Sequence, residues 1–441
     1  MLQRILAILW QTGLLTLVLV NAAQGRLAEL QPLSLEAALQ AAQTHSQALV
    51  AQNAAAFQAR QMAVNAKQLP DPILGLAVNN LPVNGASRYS FNDEPMTMAS
   101  ATLSQTFTPF DKRSAREKVF ELEAKSAEAA YVLALRDLRQ QTALAWFDRY
   151  FQQQLIELLS AQRSEARLQV EAAEAAYRGG RGLQADIFVA KTSVANIEDQ
   201  ILQAQAQRDN AIVTLSRWVG ELASLPLGDV PDLSQSHYAE HELEHSIKQH
   251  PHIAWMQTKE STALAAAEAA RQEKRSDWNL SLTYSQRSHN FPNMVSLGVS
   301  APLQWNQGNR QDRVVSAQLA KADQARAERE EMVREHLAET RRWLIAWRSH
   351  LARLDHFDTS LIPLARERTH AALAAYRGGR GNLAAVIEAR RAQIHTQVER
   401  LRVEMETAAL WVALEFVTVA DIAPDAQPAT MSFHLSNSLE Q

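Results

Sequence analysis

From Phe110 to Arg178 the chain runs 69 residues without a glycine or a proline. Nothing else in the sequence constrains the fold as strongly. Reversing the chain takes turns, and turns draw on Gly and Pro. This run is rich in Ala, Leu, Gln, Glu and Arg, so it reads as one helix of ~100 Å at 1.5 Å per residue. Residues 183–219 and 382–423 are also free of both breakers, and 307–377 contains only Gly308 and Pro363. Pro363 is expected to kink or end its helix. The 441 residues include only 14 Gly and 14 Pro, about half of ordinary usage. The chain therefore reads as a few very long elements, not as the roughly three loop-rich domains its length would otherwise suggest. Apolar residues recur at three and four spacing, as in Leu133, Leu135, Leu138, Ala143 and Trp146. That spacing predicts paired, coiled-coil-like helices.

The chain is also a tandem repeat. Tyr177-Arg-Gly-Gly-Arg-Gly182 returns as Tyr376-Arg-Gly-Gly-Arg-Gly381, an offset of 199 residues. Ser34–Lys67 resembles His241–Lys274, and Thr108-Pro109-Phe110 matches Ala301-Pro302-Leu303. The offset falls from 206 at Asp71/Asp277 to 193 at Pro109/Pro302, so the first copy carries about 13 extra residues between its strand-like runs. The Gly-Gly-Arg-Gly runs read as turns between antiparallel helices, with Gly supplying positive φ. The expected layout is a first repeat over 34–225, with strands at about 72–82 and 97–108 and helices at about 112–177 and 183–220. A linker at 226–239 follows. The second repeat spans 240–420, with strands at about 277–287 and 294–303 and helices at about 310–376 and 382–420, and a tail covers 421–441.

The four strand-like runs alternate. Leu74, Leu76 and Val78 form one apolar row, and Ala99, Ala101 and Leu103 form another opposite Ser100, Thr102 and Ser104. Trp278, Leu280, Leu282 and Tyr284 alternate with Asn279, Ser281 and Thr283, and Val295, Leu297 and Val299 alternate with Ser296, Gly298 and Ser300. Runs of about ten residues suit tilted membrane strands. The same alternation suits a half-buried sheet in a soluble domain. Four strands cannot close a barrel, whereas three copies would supply twelve and remove the edges.

Several function classes fall away. Lys and Arg total 44 against 48 Asp and Glu, which lacks the basic surface a nucleic-acid binder needs. With no Cys, disulfides, thiolate metal sites, Cys catalysis and lipid attachment through an N-terminal Cys are excluded. No phosphate-binding Gly loop, His-Glu-x-x-His or Gly-x-Ser-x-Gly occurs, so no enzyme is expected. Residues 1–23 have a basic start, an apolar run and small residues after it, the pattern of a cleaved export signal.

Taken together, the order of helix, strand pair, long helix, Gly turn and long helix in each half resembles the TolC-like outer-membrane efflux protein family, from about Leu33 to Ala420. The most specific pieces are Gly180-Arg-Gly-Leu-Gln-Ala-Asp186, Gly379-Arg-Gly-Asn-Leu-Ala, and the post-strand runs Ser104–Arg113 and Ala301–Arg310. Leu69-Pro-Asp-Pro-Ile-Leu-Gly75, Asn79-Asn-Leu-Pro82, Glu94-Pro-Met-Thr-Met98 and Ile362-Pro-Leu-Ala365 look like its heavy-metal cation efflux branch of CzcC/CusC type. The resemblance implies a mainly α protein with a small transmembrane β-barrel. It implies a homotrimer sharing a 12-stranded barrel in outer-membrane lipid and a periplasmic α-helical tunnel. The trimer would be the passive exit duct of a tripartite system, with a periplasmic adaptor (membrane fusion) protein and an inner-membrane resistance–nodulation–division transporter as partners and no cofactor. Alternatives are a duct for drugs or for type I protein secretion, and, from another class, a periplasmic coiled-coil scaffold or adaptor.

The resemblance places adaptor docking at the two turns: Arg178, Gly179, Gly180, Arg181 and Gly182, with Arg377, Gly378, Gly379, Arg380 and Gly381. The Gly residues also serve simply to permit the turn. Asp186 falls in the first turn of the following helix, where a carboxylate favours the helix dipole; a gate or selectivity ring, with Glu388 as companion, is the functional alternative. His237, His241 and His245 share one helical face, as a solvated polar stripe or as ligands for Zn²⁺ or Cu²⁺. Met96 and Met98 share the parity of Ser100, as apolar filler or as soft thioether ligands for Cu(I) or Ag(I).

Overall fold

A computed structural model describes residues 32–180, 182–235 and 247–417. The expected signal run at 1–23, the expected tail at 421–441, and Arg181, His237, His241 and His245 lie outside the described residues. The described elements are α1 (Leu35–His45), α2 (Gln47–Lys67), β1 (Ile73–Asn79), β2 (Met98–Phe107), α3 (Phe110–Arg178) and α4 (Gln184–Val219). There follow α5 (Pro251–Gln272), β3 (Trp278–Arg287), β4 (Met294–Ser300), α6 (Gln311–His356), α7 (Ile362–Arg377) and α8 (Leu383–Glu415). The protein is mainly α with one small antiparallel sheet of order β1-β2-β3-β4. Among the described residues no helix is long and apolar enough to cross a membrane.

Local chemistry sets most boundaries. α3 runs unbroken for 69 residues because nothing in it competes with the helical ladder. Ser34 caps α1 by accepting the Ala37 N–H at 3.2 Å, and Asn382 caps α8 by accepting the Ala385 N–H at 2.8 Å. Pro251 opens α5 at a position that needs no N–H donor. β1 stops at Asn79, short of the expected 72–82, because Asn80 takes φ 56° and Pro82 follows. The sharpest difference lies in the second repeat. The expected helix over 310–376 is α-helical only to His356, passes through a π-helical turn at Phe357–Leu361, and resumes as α7. The π turn ends at Leu361, two residues before Pro363, whose ring has no N–H to donate.

The chain divides into two compact units. Of the described residues, one takes in those within 32–47, 135–235 and 337–417; the other those within 48–134 and 247–336. In the first unit, the buried residues of α4 fall at Ala190, Ile197, Ile201, Ala204, Ala211 and Leu215, a heptad seam. Ala190, Ile197, Ile201 and Ala204 meet Leu159, Ala166 and Ala173 of α3 and Val386 and Ile394 of α8 in two clusters. The small alanines let the helices approach closely. A separate aromatic core forms around Trp146, which is 0% exposed. It stacks on Tyr150 at 5.7 Å and meets Phe147 edge-on at 5.2 Å. Its indole N–H donates to the Leu33 carbonyl at 2.9 Å, and that of Trp347 donates to the Leu233 carbonyl at 3.1 Å. Donors and acceptors are thus displaced by about one repeat length, so each copy ties its entering segment through an indole, and the Trp411 indole adds a second bond in the second copy, to the Gln235 carbonyl at 3.0 Å.

Candidate functional site

The sheet, in the second unit, has two chemically opposite faces. The register joins Leu74 to Leu103, Leu103 to Leu282 and Leu282 to Leu297, a row of four leucines across all four strands. The next row is Leu76, Ala101, Tyr284 and Val295. Leu76 and Leu297 are 78% and 76% exposed, and the rest of the large apolar side chains in these rows are exposed too. The opposite face is polar and cross-linked. Asn79 Nδ2 donates to Ser100 Oγ at 2.8 Å, Thr102 and Thr283 share a hydroxyl–hydroxyl bond at 2.9 Å, and Asn279 Nδ2 donates to Thr106 Oγ1 at 3.2 Å. A Cβ at Gly298 would lie 2.6 Å from Ser281 Oγ, so a larger residue there would require that hydroxyl to turn away. An apolar face this continuous and open is abnormal for a solvated sheet. It matches the outward band of a membrane barrel, with polar residues turned inward.

Where the strands meet the helices, an ionic collar forms that sequence pattern alone did not mark. The Lys112 ammonium, 6% exposed, lies 2.8 Å from Glu273 and 3.1 Å from Asp277. Arg116 donates to Glu273 at 2.8 and 2.5 Å, Lys67 pairs with Glu117 at 2.8 Å, and Arg275 pairs with Asp111. Burial alone would push the Glu273 carboxyl up, but the hydrogen bonds from Lys112 and Arg116 outweigh it and hold its pKa below the usual carboxylate value. Sequence signals were present in Lys112-Arg113 and in Asp277 ahead of β3, but nothing in one dimension paired them.

Met98 opens β2 opposite Arg287 on the polar face, and Met294 lies beyond it opposite Ser285. Met96 is exposed outside the strand. The Arg287 guanidinium donates to the Pro95 carbonyl at 2.9 Å and sits 3.8 Å from Met294 Sδ. The Arg287 guanidinium thus lies beside Met294, and Met98 is the cross-strand partner of the same arginine.

In the first unit the structure brings the two Gly turns' flanks together. Ala173 and Ala190 pack with Leu383 and Val386, joined by Ile187, Leu373 and Tyr376. The turns share their geometry. Gly179 N–H donates to the Ala175 carbonyl at 3.0 Å and Gly378 N–H to Ala374 at 2.9 Å. Gly180 takes φ +70° and Gly379 φ +71°, the left-handed caps that Gly allows. Gly182 and Gly381 lie against the preceding turn of helix, where a Cβ would meet backbone atoms at 3.2 Å and 3.1 Å respectively. Arg178, Arg377 and Arg380 are exposed, as are Leu183, Phe188 and Val189 on the α4 side. Asp186 Oδ2 accepts the Leu183 N–H at 3.2 Å, a helix-capping contact. Glu388 is exposed and lines a groove of about 980 Å³ with Asp199, Arg391 and His395, a groove whose lining does not include Asp186.

Scanned against protein-family models and against curated proteins, the sequence matches none. Solved structures do match. The outer-membrane channel OprN superposes with a TM-score of 0.73 at 16% identity, over 87% of this chain and 89% of that one. The outer membrane protein VceC of Vibrio cholerae gives 0.73 at 18%, over 87% and 95%. CusC, described through its folding and transmembrane channel formation, gives 0.72 at 14%, over 87% and 92%. The chain has the fold of these outer-membrane channels.

Proposed function

We infer that the protein is a passive outer-membrane exit duct of a tripartite efflux system, and that its cargo is heavy-metal cations. The observation that carries the channel reading is the sheet: exposed leucine rows on one face, hydroxyl and amide groups on the other, and β1 and β4 left as open edges. Open edges and an exposed apolar face are both satisfied when three copies close twelve strands within lipid. The shared fold with OprN, VceC and CusC supports that arrangement. The metal cargo rests on the branch motifs, Leu69–Gly75, Asn79–Pro82 and Glu94–Met98.

In this reading the paired Gly turns face a periplasmic adaptor. Their exposed Arg side chains offer charge-assisted bonds to its carbonyls or carboxylates, and an inner-membrane transporter supplies the energy. Asp186 and Glu388 contribute acidic groups to the narrow end of the tunnel, Asp186 while also capping α4. The signal run at 1–23 directs export.

Fractionation tests the duct: a heat-modifiable trimer in the outer membrane is expected, and a wholly soluble periplasmic protein overturns the reading. Deletion tests the cargo: sensitivity to Zn²⁺, Co²⁺, Cd²⁺, Cu⁺ or Ag⁺ is expected. Unchanged metal tolerance with new drug sensitivity replaces metal by drug as the cargo.

A further inference from the structure

In the second unit, three histidines gather where the start of α5 meets α6. His252 Nδ1 lies 3.2 Å from His336 Nε2. The His250 ring stacks on His336 with centroids 4.2 Å apart and planes 27° apart. Trp255 stacks on His252 at 5.7 Å, again at 27°. His250 is the N-cap of α5: its Nδ1 accepts the His252 N–H at 3.1 Å. That nitrogen is therefore occupied, and His250 serves to hold the His336 ring. Each ring of the facing pair is thus held by an aromatic neighbour.

The geometry points to His252 and His336 as a two-imidazole site for a borderline divalent cation of the Zn²⁺ or Cu²⁺ type. Two imidazole nitrogens that both bind Zn²⁺ at ~2.0–2.1 Å with a tetrahedral angle stand about 3.3–3.4 Å apart. The observed 3.2 Å is within a small ring rotation of that bite. Imidazole nitrogen suits Zn²⁺ and Cu²⁺ and binds Mg²⁺ or Ca²⁺ poorly. On binding, the metal displaces the proton shared between the two facing nitrogens, as ligation by imidazole requires. Among the described residues no group of three His, Asp or Glu is arranged to hold an ion. The two imidazoles make a site suited to contact with a passing ion. The value of such contact to the cell rests on the metal-export reading; the binding does not.

The test uses the full-length protein in detergent, stripped of metal and titrated calorimetrically with ZnCl₂. Binding is expected, and His252→Gln or His336→Gln should weaken it at least about tenfold, since losing a ligand costs no less than losing an outer-shell partner. Gln keeps a hydrogen-bonding group at the position, and an unchanged trimer band verifies folding. A second variant, with His237, His241 and His245 all changed to Ala, should retain the binding. Loss in that variant, or undiminished binding in both Gln variants, overturns the assignment. Cu²⁺ provides an independent readout, because its electron paramagnetic resonance spectrum should show two imidazole nitrogens in the wild type and one in either Gln variant. A lack of binding alongside metal-sensitive deletion cells would overturn this site and leave the export reading standing.

Discussion

Replacing Leu297 by Arg distinguishes a lipid-facing sheet from a solvated one. Leu297 is the central residue of β4, 76% exposed, at the end of the leucine row through Leu282, Leu103 and Leu74. If water covered this face, an Arg at so open a position would change stability by no more than about 0.5 kcal/mol and would improve solubility. Within a bilayer the same change costs about 2–4 kcal/mol per chain near the midplane. At 1.36 kcal/mol per tenfold, that is about a 30- to 900-fold shift against the inserted state. Ser296→Arg is the matched control: one residue away, equally on β4, but on the face shared with Thr283 and Ser281. There the guanidinium projects among polar groups and should be tolerated. Both variants are measured by refolding into lipid vesicles across a urea series, and by the heat-modifiable band in outer-membrane fractions. L297R should lose most of that band while S296R keeps it. Equal behaviour of the two variants, or a greater loss in S296R, would refute the assignment of the leucine face to lipid.

Three further outcomes follow from the geometry. Gly379 sits at φ +71° with open space around it, so Gly379→Ala should cost about 1–2 kcal/mol through backbone strain alone; Gly308→Ala, where neither strain nor crowding arises, should be neutral, and protease sensitivity of the turn reads the difference. Trp146→Phe keeps a buried ring but leaves the Leu33 carbonyl without its indole donor, so unfolding by denaturant should show a loss of about 1–3 kcal/mol. Because the Glu273 carboxyl is held below its ordinary value, its contribution is fully present above the unfolded pKa of about 4.3 and is lost as pH falls through the folded value; lowering pH from 7 to 3 should therefore cost the wild type more melting temperature than it costs Glu273→Gln.

Whatever depended on spacing along the chain was legible in the sequence. The breaker-free run gave α3, and the repeated Gly motif marked two turns that share the hydrogen bonds donated by Gly179 and Gly180 and by Gly378 and Gly379. Strand alternation located both faces of the sheet, but not their exposure. A row such as Leu74, Leu103, Leu282 and Leu297 draws on residues up to 223 positions apart, and only the register assembles it. The collar at Lys112 and Glu273 and the pair at His252 and His336 were hidden for the same reason. Each joins residues of ordinary type whose partners are chosen by packing.

The two repeats also diverge where their sequences predict similar long helices. α3 is continuous, whereas its counterpart is split into α6 and α7 by the π turn ahead of Pro363. Proline explains why the ladder must be re-formed there, because it removes one donor and its ring crowds the carbonyl four residues earlier. It does not by itself set the width of the turn. Asp358, inside the π turn, reaches the Arg400 guanidinium on α8 at 2.7 and 3.1 Å, and Arg400 also holds Glu404 at 2.5 Å. The extra residue of a π turn rotates the residues on either side relative to a regular α-helix. That rotation is compatible with the Asp358–Arg400 pair, and the pair fastens the break to the neighbouring helix. The proline was visible in the sequence, but its long-range partner required the third dimension.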